Sequence, residues 1–472
     1  MTKQEAAIKY ITENYLDHNR LRHDVVSDKL QIRMDLEEAK GERLEVKGKE
    51  YWKELSKHDI NSIVCHAAQE YDANITSREV LTALQSDLIP DVHPLREYIQ
   101  SLKPYTNDQP DWIDMVAQQV HVKTNNNEEN LCKEDNINNL RGNQIAPQKA
   151  SFFGDPALPA APKENNSTPS CTTLHNTTPS ADALWRICFK KWFVAMVASW
   201  LKDEVVNHQV LVLIGRQGIF KTTWLEHLIP PHLRTYCCKL ANATQLSKDD
   251  RLRIAEFGLI NMDELDAMTP RELNAMKSVI TSTDVNERAA YGYTKERRVR
   301  LASFCASSNK REFLTDMTSN RRWLPFEVDS IQNPFHTTLP YDFMYAEALY
   351  LIDNDFNYWF DLEEIDTLEQ HNEVFRAQDS EEQLLPILFD IPAEGKGEFM
   401  TTAQISERLV SYGNIKKPMP VSQLGMLLGK AGYRAVTRGS RNARVRGWIV
   451  YQRNTDEINA NKALLAKDGV TM

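Results

Sequence analysis

The pattern of apolar positions changes near residue 183, and this change predicts where the main core of the chain lies. From Ala183 the stretch ALWRICFKKWFVAMVASWLKDE places apolar residues at helical spacing, which predicts a largely buried helix. Short continuous apolar runs follow, each typical of a buried strand in a parallel sheet: HQVLVLIG, FGLINMDE and VRLASFCASSN. Helical patterns separate these runs. Alternating strands and helices predict an α/β fold with a parallel sheet over residues 183–335.

The segments on either side of this core have different patterns. We expect an α-rich N-terminal domain over 1–121. A disordered linker or insertion is expected over 122–182, because Asn, Thr, Ser and Pro dominate there. A helical extension is predicted over 336–390. Residues 391–455 show the order helix, turn, helix and basic hairpin, which indicates a winged-helix-like domain, and 456–472 are expected to form a flexible tail.

Composition and charge narrow the class of protein. The 472 residues are 42% hydrophobic and 26% charged, as is ordinary for a soluble globular protein. No apolar run is long enough to cross a bilayer, and the polar N-terminus resembles no secretory signal, so we expect a cytoplasmic protein without a membrane partner. The seven cysteines form no CxxC pair, which favours reduced thiols over a zinc site. The net charge of −10 argues against a surface that binds polyanions everywhere, and only local basic clusters remain candidates.

The first apolar run ends in a glycine-containing loop that is followed by a lysine, a threonine and a helical pattern. Glycines allow backbone N–H groups to surround a phosphate, and the start of a helix favours negative charge. Lys221 can reach the outer phosphates, while the hydroxyl of Thr222 can ligate Mg²⁺. The common pattern has glycine directly before the lysine, where this chain has Phe220, and Gly218 is expected to supply the flexibility. The predicted nucleotide-binding residues are Gly215, Gln217, Gly218, Lys221, Thr222 and Thr223.

Acidic and amide side chains follow the other two apolar runs. Asp263 and Glu264 end the second run, a pattern in which the first acid holds Mg²⁺ and the second acts as general base for the attacking water. Asn309 ends the third run and is predicted to orient that water or contact the γ-phosphate. Downstream, Arg321 or Arg322 could stabilise the transferring phosphoryl group, often from a neighbouring subunit, and Arg321 is preferred.

Taken together, these motifs resemble those of the virulence-associated protein E family, which is related to the superfamily 3 helicases of phages, plasmids and small viruses. The similar segments are GRQGIFKTTW, NMDELD, MKSVITSTDVNERAAYGYTKERR, CASSN and SNRRWLPFEV, in that order over about 185–330. The resemblance implies an AAA+-like P-loop ATPase core that uses ATP and Mg²⁺. It also implies a homo-oligomeric ring in which the arginine completes the site of a neighbour.

The resemblance further implies that the segment between the metal strand and the Asn309 strand contacts DNA. That segment alternates cations with tyrosines, which suits phosphates and stacked bases of single-stranded DNA. The candidate residues there are Lys277, Arg288, Tyr293, Lys295, Arg297 and Arg298. The C-terminal hairpin has a second acid-free basic stretch, which indicates a wing that binds duplex DNA. Its candidate residues are Arg438, Arg441, Arg444 and Arg446.

These observations favour Mg²⁺-dependent ATP hydrolysis coupled to movement on DNA, in replication of a phage or other mobile element. The first 120 residues show no primase-like constellation, so a separate primase is an expected partner. Two other functions stay open. An ATP-driven switch or loader that remodels a protein would hydrolyse ATP without regard to DNA. A DNA-binding regulator with a degenerate nucleotide site would not hydrolyse ATP, and Phe220 is the feature that favours this alternative.

Overall fold

A computed structural model describes residues 1–34, 51–72, 74–123, 179–241, 248–287, 296–314, 320–393, 397–439 and 444–467. The chain divides into two compact units, Met1–Phe375 and Arg376–Met472. Most of the predicted linker, 124–178, lies outside the described residues. Among the described helices, none is long and apolar enough to cross a membrane. The cysteines that the structure describes are free thiols at positions 65, 188, 237, 238 and 305.

The N-terminal part of the first unit combines several helices with a small sheet of short strands. Its helices are α1 (Lys3–Ile11), followed by one π-helical turn (Thr12–Leu16), α2 (Lys57–Glu70) and α3 (Ser77–Leu84). Its strands are β1 (Leu21–Asp24), β2 (Lys29–Met34), β3 (Tyr51–Glu54) and β4 (Asp91–Val92), in the order β3-β2-β1-β4. All three helices begin with a capping box, for example Thr2 with Glu5.

Helices and one short strand then lead into the central sheet. They are α4 (Pro94–Gln100), α5 (Trp112–Ala117), β5 (Val120–Val122) and α6 (Ala181–Leu201). Helix α6 corresponds to the predicted buried helix and is apolar on nearly every face, as expected for a helix inside a large core. Its one fully buried cation is Lys191, whose ammonium group donates to both carboxylate oxygens of Glu364 at 2.6 and 2.7 Å.

The central sheet confirms the predicted α/β fold with parallel strands. It comprises β5, β6 (Val210–Ile214), β7 (Cys237–Ala241), β8 (Leu259–Asp263), β11 (Ser303–Ser308) and β12 (Trp323–Ile331). The strand order is β5-β12-β6-β11-β8-β7, and every pair is parallel except β5 with β12. Every residue of β6 and β11 is buried, because helices cover both faces of a parallel sheet. The carboxyl ends of β6, β11 and β8 therefore lie side by side.

Further helices connect these strands. They are α7 (Lys221–His227), a 3₁₀ segment (Pro231–Tyr236), α8 (Lys248–Glu256), a 3₁₀ turn (Leu265–Ala267) and α9 (Pro270–Thr281). Strands β9 (Asp284–Glu287) and β10 (Glu296–Val299) form a separate antiparallel pair. Arg300 follows β10 and is 1% exposed. Its guanidinium donates to carbonyl oxygens of Val279, Ile280 and Ser282 at the end of α9, and of Asn207 and Ala302.

The first unit ends with α10 (Tyr341–Asp353), α11 (Leu362–Asn372) and a 3₁₀ turn (Glu373–Phe375). The sequence predicted a helical extension over 336–390, and this stretch contains α10 and α11. Met344 and Tyr345 of α10 and Leu368 of α11 are buried in the same apolar cluster as α6. These helices therefore complete the core of the first unit, and the division of the chain follows Phe375.

The second unit contains helices and a small antiparallel sheet. Its elements are α12 (Ser380–Leu388), β13 (Phe389–Asp390), β14 (Glu398–Met400), α13 (Thr402–Gly413), α14 (Val421–Lys430), β15 (Arg434–Arg438), β16 (Val445–Gln452) and α15 (Thr455–Lys467). Strand β16 pairs with β13, β14 and β15. Helix α15 replaces the predicted flexible tail. It starts with a reciprocal pair in which Asn454 and Glu457 each accept the other's backbone N–H at 2.9 Å.

Candidate functional site

The loop after β6 brings the backbone of two strands into close contact. A Cβ atom at Gly215 would lie 2.7 Å from the carbonyl oxygen of Val328, so only glycine fits there. Gly218 has a φ of +89°, in the left-handed region that glycine adopts without strain. The side chains of Arg216 and Gln217 are exposed. The loop thus has its glycines where the backbone requires them.

Phe220 occupies the position where the common pattern has glycine. Its φ is +68° and its ψ is +17°, so the backbone takes the left-handed conformation despite the large side chain. For a residue other than glycine, this conformation costs roughly 1–2 kcal/mol. The departure from the common pattern therefore concerns the side chain, while the backbone at this position is the one that a glycine would adopt.

Lys221 begins α7, and its side chain turns back over the loop. Its Nζ donates to the carbonyl oxygens of Gly215 at 2.7 Å and Arg216 at 2.9 Å, and to Oδ1 of Asn309 at 3.1 Å. Burial lowers the pKa of Lys221, while the carboxylates of Asp266 and Asp263 oppose this shift. The structure thus brings the predicted lysine and the predicted asparagine into direct contact, across two adjacent strands.

Asp263 lies at the centre of a hydrogen-bonded polar cluster at the same edge of the sheet. Its Oδ1 accepts from the hydroxyls of Thr222 at 2.8 Å and Ser307 at 2.6 Å. The Nζ of Lys239, on β7, lies 2.6 Å from Oδ2. Burial would raise the pKa of Asp263, but the hydrogen bonds from Lys239, Ser307 and Thr222 outweigh it and lower the pKa to about 2. The carboxylate is therefore ionised at neutral pH.

Three residues of this cluster were not predicted from the sequence. Ser307 and Lys239 bind Asp263, and Asp266 accepts from the backbone N–H of Asn309 at 3.2 Å. Ser307 could have been found from its position two residues before Asn309 at the end of a buried strand. Lys239 gives no sequence signal, because its proximity to Asp263 depends on β7 pairing with β8.

The donors around Asp263 suit a magnesium ion. Mg²⁺ prefers oxygen ligands and is usually held by one or two carboxylates together with substrate phosphates. The hydroxyl of Thr222 and the carboxylate of Asp263 meet here, beside the phosphate loop. No cluster of three or more His, Cys, Asp or Glu side chains that could hold a metal occurs in the part of the chain that the structure describes. Any metal here would therefore share its coordination with a ligand or with water.

Glu264 follows Asp263 directly, and its side chain is exposed. Its φ of +54° and ψ of +51° again lie in the left-handed region, so the chain turns sharply after the strand. This turn places an exposed carboxylate at the sheet edge where Lys221 and Asp263 lie. Thr223, the last predicted loop residue, contributes its carbonyl oxygen to Nδ1 of His227 at 2.7 Å.

Arg321 and Arg322 lie at the opposite end of the strands from the phosphate loop. They precede Trp323, which pairs with Val210 at the start of β6, whereas the loop follows Ile214 at the end of that strand. The five residues of β6 span about 16 Å at the usual rise per residue. The two arginines line a cavity of about 320 Å³ with His208, Thr281 and Trp359. The structure therefore does not bring them to the loop of their own chain.

The candidate DNA-binding residues of the first unit are only partly described. Arg288, Tyr293 and Lys295 lie outside the described residues, and Lys277 is half-buried on α9. Arg297 pairs with Asp284 at 2.6 Å but is 77% exposed. Arg298 is only 18% exposed and lies 2.7 Å from Asp28 and 3.6 Å from Glu256. Of these two arginines, Arg297 is therefore the one placed to meet a ligand.

In the second unit, the hairpin β15–β16 presents its cations to solvent. Arg438, Arg444 and Arg446 are exposed, and the guanidinium of Arg438 lies 4.8 Å from the ring centre of Phe399. Arg441 lies outside the described residues. Trp448 and Val450 of β16 are buried, whereas the exposed Arg444 and Arg446 lie near the beginning of that strand. Because Arg446 pairs with Thr437 and Arg438 pairs with Val445, Arg438 and Arg446 lie on opposite faces of the hairpin.

Comparison with known proteins adds a family and several solved structures. Residues 166–377 match the Virulence-associated protein E-like domain. Among solved structures, the apo structure of the NrS-1 C terminal region (305–718) is 9% identical, with a TM-score of 0.43 over 95% of this chain and 100% of that chain. The A form of the apo structure of that region is 9% identical, with a TM-score of 0.41 over 92% and 98% of the two chains. No curated protein matches this chain.

Proposed function

We propose that this chain, whose residues 166–377 match the Virulence-associated protein E-like domain, is a Mg²⁺-dependent ATPase of the AAA+-like P-loop type that acts on DNA. The setting we propose is replication of a phage or other mobile element, as the resemblance to superfamily 3 helicases implies. The observation that supports this most directly is the contact of Lys221 with Asn309 and of Thr222 with Asp263, across three adjacent strands.

Each residue of this edge has a role in phosphoryl transfer. Lys221 binds and neutralises phosphate oxygens, and the glycine-containing loop offers backbone N–H groups. Thr222 and Asp263 would hold Mg²⁺, which supplies charge neutralisation between the outer phosphates. Glu264 polarises the attacking water, and Asn309 orients it or the γ-phosphate. Lys239 would compete with Mg²⁺ for the charge of Asp263, because its ammonium group lies 2.6 Å from Oδ2 of that carboxylate.

We propose that Arg321 acts on the site of a neighbouring subunit. The register of β12 with β6 separates it from the loop of its own chain by about the length of a strand, and an arginine can stabilise phosphoryl transfer only in contact with it. In a homo-oligomeric ring, one surface of each subunit meets a different surface of the next. Arg321 could then lie far from the loop of its own chain and still contact the phosphoryl group bound by a neighbour. Arg322 has other interactions within its own chain and is the less favoured candidate.

The segment around β9 and β10 binds single-stranded DNA in this function, and the second unit binds duplex DNA. Among the described candidate residues of the first site, Arg297 is the one whose side chain is mostly exposed, at 77%. The second unit has the succession α13, α14, β15 and β16, which is the order of a winged helix, with exposed Arg438, Arg444 and Arg446 on the hairpin. Cations on such a wing contact the phosphates of a duplex.

The test is phosphate release from ATP and Mg²⁺, with and without single-stranded DNA, for the wild type, Lys221→Ala and Lys103→Ala. Lys103 is an exposed lysine outside the site and serves as the matched control. We expect hydrolysis that DNA accelerates, that Lys221→Ala abolishes and that Lys103→Ala leaves unchanged. Hydrolysis that requires Lys221 but ignores DNA would favour the protein-remodelling switch. No hydrolysis under any condition would leave the DNA-binding regulator as the better account.

A further inference from the structure

Three aromatic side chains form a group beside the phosphate loop, and none of the roles above uses them. The ring plane of Phe335 is inclined by 79° to that of Phe220, with centroids 6.3 Å apart, and by 85° to that of His227, with centroids 5.6 Å apart. We call Phe220, His227 and Phe335 the aromatic platform. Phe335 is 70% exposed, although burial of a phenylalanine is strongly favourable. Because Phe335 is largely exposed, much of its ring surface stays accessible to a flat ligand.

The backbone holds Phe335 in this exposed position. Its N–H donates to Oδ1 of Asn333 at 3.0 Å, and the N–H of His336 donates to the carbonyl oxygen of Asn333 at 3.0 Å. Such turns centred on an asparagine fix the direction of the chain. The ring is therefore presented by a defined turn that follows β12, the strand next to the one that leads into the phosphate loop.

Phe220 provides an independent observation. It keeps a phenylalanine in a left-handed conformation that glycine would adopt without cost, and strain of this kind concentrates at functional sites. Its Cα lies about 3.8 Å from that of Lys221, the next residue. A side chain at this position therefore borders the loop that we propose binds the triphosphate.

His227 completes the platform as a neutral ring. Its Nδ1 must carry the proton, because its partner at 2.7 Å is the carbonyl oxygen of Thr223, which can only accept. Burial lowers the pKa of His227, so the imidazole is uncharged at neutral pH. A neutral imidazole adds flat, polarisable surface without repelling a base.

We infer that the aromatic platform binds the base of a purine nucleoside triphosphate whose phosphates occupy the loop before Lys221. This inference rests on the proposed function and adds the subsite for the base. Stacking on aromatic faces accepts every base and strengthens with the area of the ring system, so purines are bound more tightly than pyrimidines. Affinity therefore comes partly from the platform and partly from the phosphate loop, and the two contributions can be measured separately.

The experiment is isothermal titration of the full chain, in Mg²⁺, with a non-hydrolysable ATP analogue and with inorganic tripolyphosphate. The variants are Phe335→Ala, Phe335→Tyr and Phe343→Ala. Phe343 is the matched control, a 50% exposed phenylalanine that stacks on Trp112. We expect Phe335→Ala to lower the affinity for the analogue about tenfold, as expected for the loss of one base stacked on one ring. The affinity for tripolyphosphate should stay unchanged. Phe335→Tyr should restore the affinity for the analogue, and Phe343→Ala should change neither ligand.

A second variant separates the phosphate loop from the platform. Phe220→Gly relieves the backbone strain while removing one ring, so it should bind tripolyphosphate at least as tightly as the wild type and the analogue less tightly. The inference is overturned if the wild type binds the analogue no more tightly than tripolyphosphate, or if Phe335→Ala changes both ligands equally. In either case binding that depends on Lys221 still supports the proposed function. If the wild type binds neither ligand, the proposed function itself fails, and the base subsite with it.

Discussion

The ion pair between Lys191 and Glu364 allows a sharp test of how the first unit is held together. Both side chains are essentially inaccessible to solvent, at 1% and 0% exposure. The ammonium group of Lys191 donates to both oxygens of Glu364 and to the carbonyl oxygen of Trp359 at 3.0 Å, so its three protons are all used. Glu364 also accepts the backbone N–H of Asp361 at 3.0 Å. The pair thus joins α6 to the start of α11.

Lys191→Met keeps most of the volume of the side chain but leaves a carboxylate without its counter-charge in the core. Removing one partner of a buried pair costs about 3–5 kcal/mol, whereas removing the charge from both partners costs much less. In Lys191→Met/Glu364→Gln, the amide oxygen can still accept the N–H of Asp361. We therefore expect the single variant to lose about 3–5 kcal/mol of unfolding free energy and the double variant to recover about half of it or more.

Urea unfolding followed by tryptophan fluorescence measures this, because eight of the nine tryptophans precede residue 376 and report on the first unit. The midpoint should fall in Lys191→Met and return partway in the double variant, with a similar slope in both. A single variant within about 1 kcal/mol of the wild type would show that the pair is not desolvated as described. A double variant as unstable as the single one would show that lost packing, and not the unpaired charge, causes the effect.

Further predictions concern the proposed site and the second unit. Mixing inactive Arg321→Ala with inactive Glu264→Gln should restore about a quarter of wild-type phosphate release, because random neighbours then form some complete sites, whereas no recovery would place the arginine in its own chain's site. Lys239→Met should bind Mg²⁺ several-fold more tightly in calorimetry, since Asp263 loses a competing cation, and weaker binding would mean that the lysine helps to hold the site. Arg446→Ala should weaken duplex binding for all sequences alike and lower its salt dependence by about one counterion, and an unchanged salt dependence would exclude a phosphate contact.

The sequence predicted the central sheet well, because its strands are short, apolar and bounded by recognisable chemistry. Strands β6, β8 and β11 each end next to residues that were assigned a role, such as Asp263. The order of the strands could not be read from the chain, and the contact of Lys239 with Asp263 follows from that order. The backbone conformation of Phe220 could not be predicted from the sequence pattern either, because phenylalanine rarely adopts left-handed φ and ψ angles.

The limits of the domains were harder to predict than the elements inside them. A helical pattern shows which face of α10 is apolar but not which partner covers it, so the role of Tyr345 in the first core appears only in the fold. The last helix, α15, has a polar sequence, and its start depends on the hydrogen-bonded pair of Asn454 and Glu457. Such a cap spans only four residues and is easily missed in a segment with few apolar positions.

Arg300 has a mechanical consequence for the strand pair β9–β10. Its guanidinium donates to the carbonyl oxygens of Ile280 in α9, of Asn207 before β6 and of Ala302, and so ties the residue that follows β10 to the body of the unit. A strand pair can transmit a movement only if it is rigidly attached to the rest of the unit. A displacement of Arg300, which directly follows β10, would therefore either move α9 and the segment before β6 with it or break these hydrogen bonds. A lysine at position 300 has too few donors to bind all of these carbonyl oxygens and would weaken that attachment.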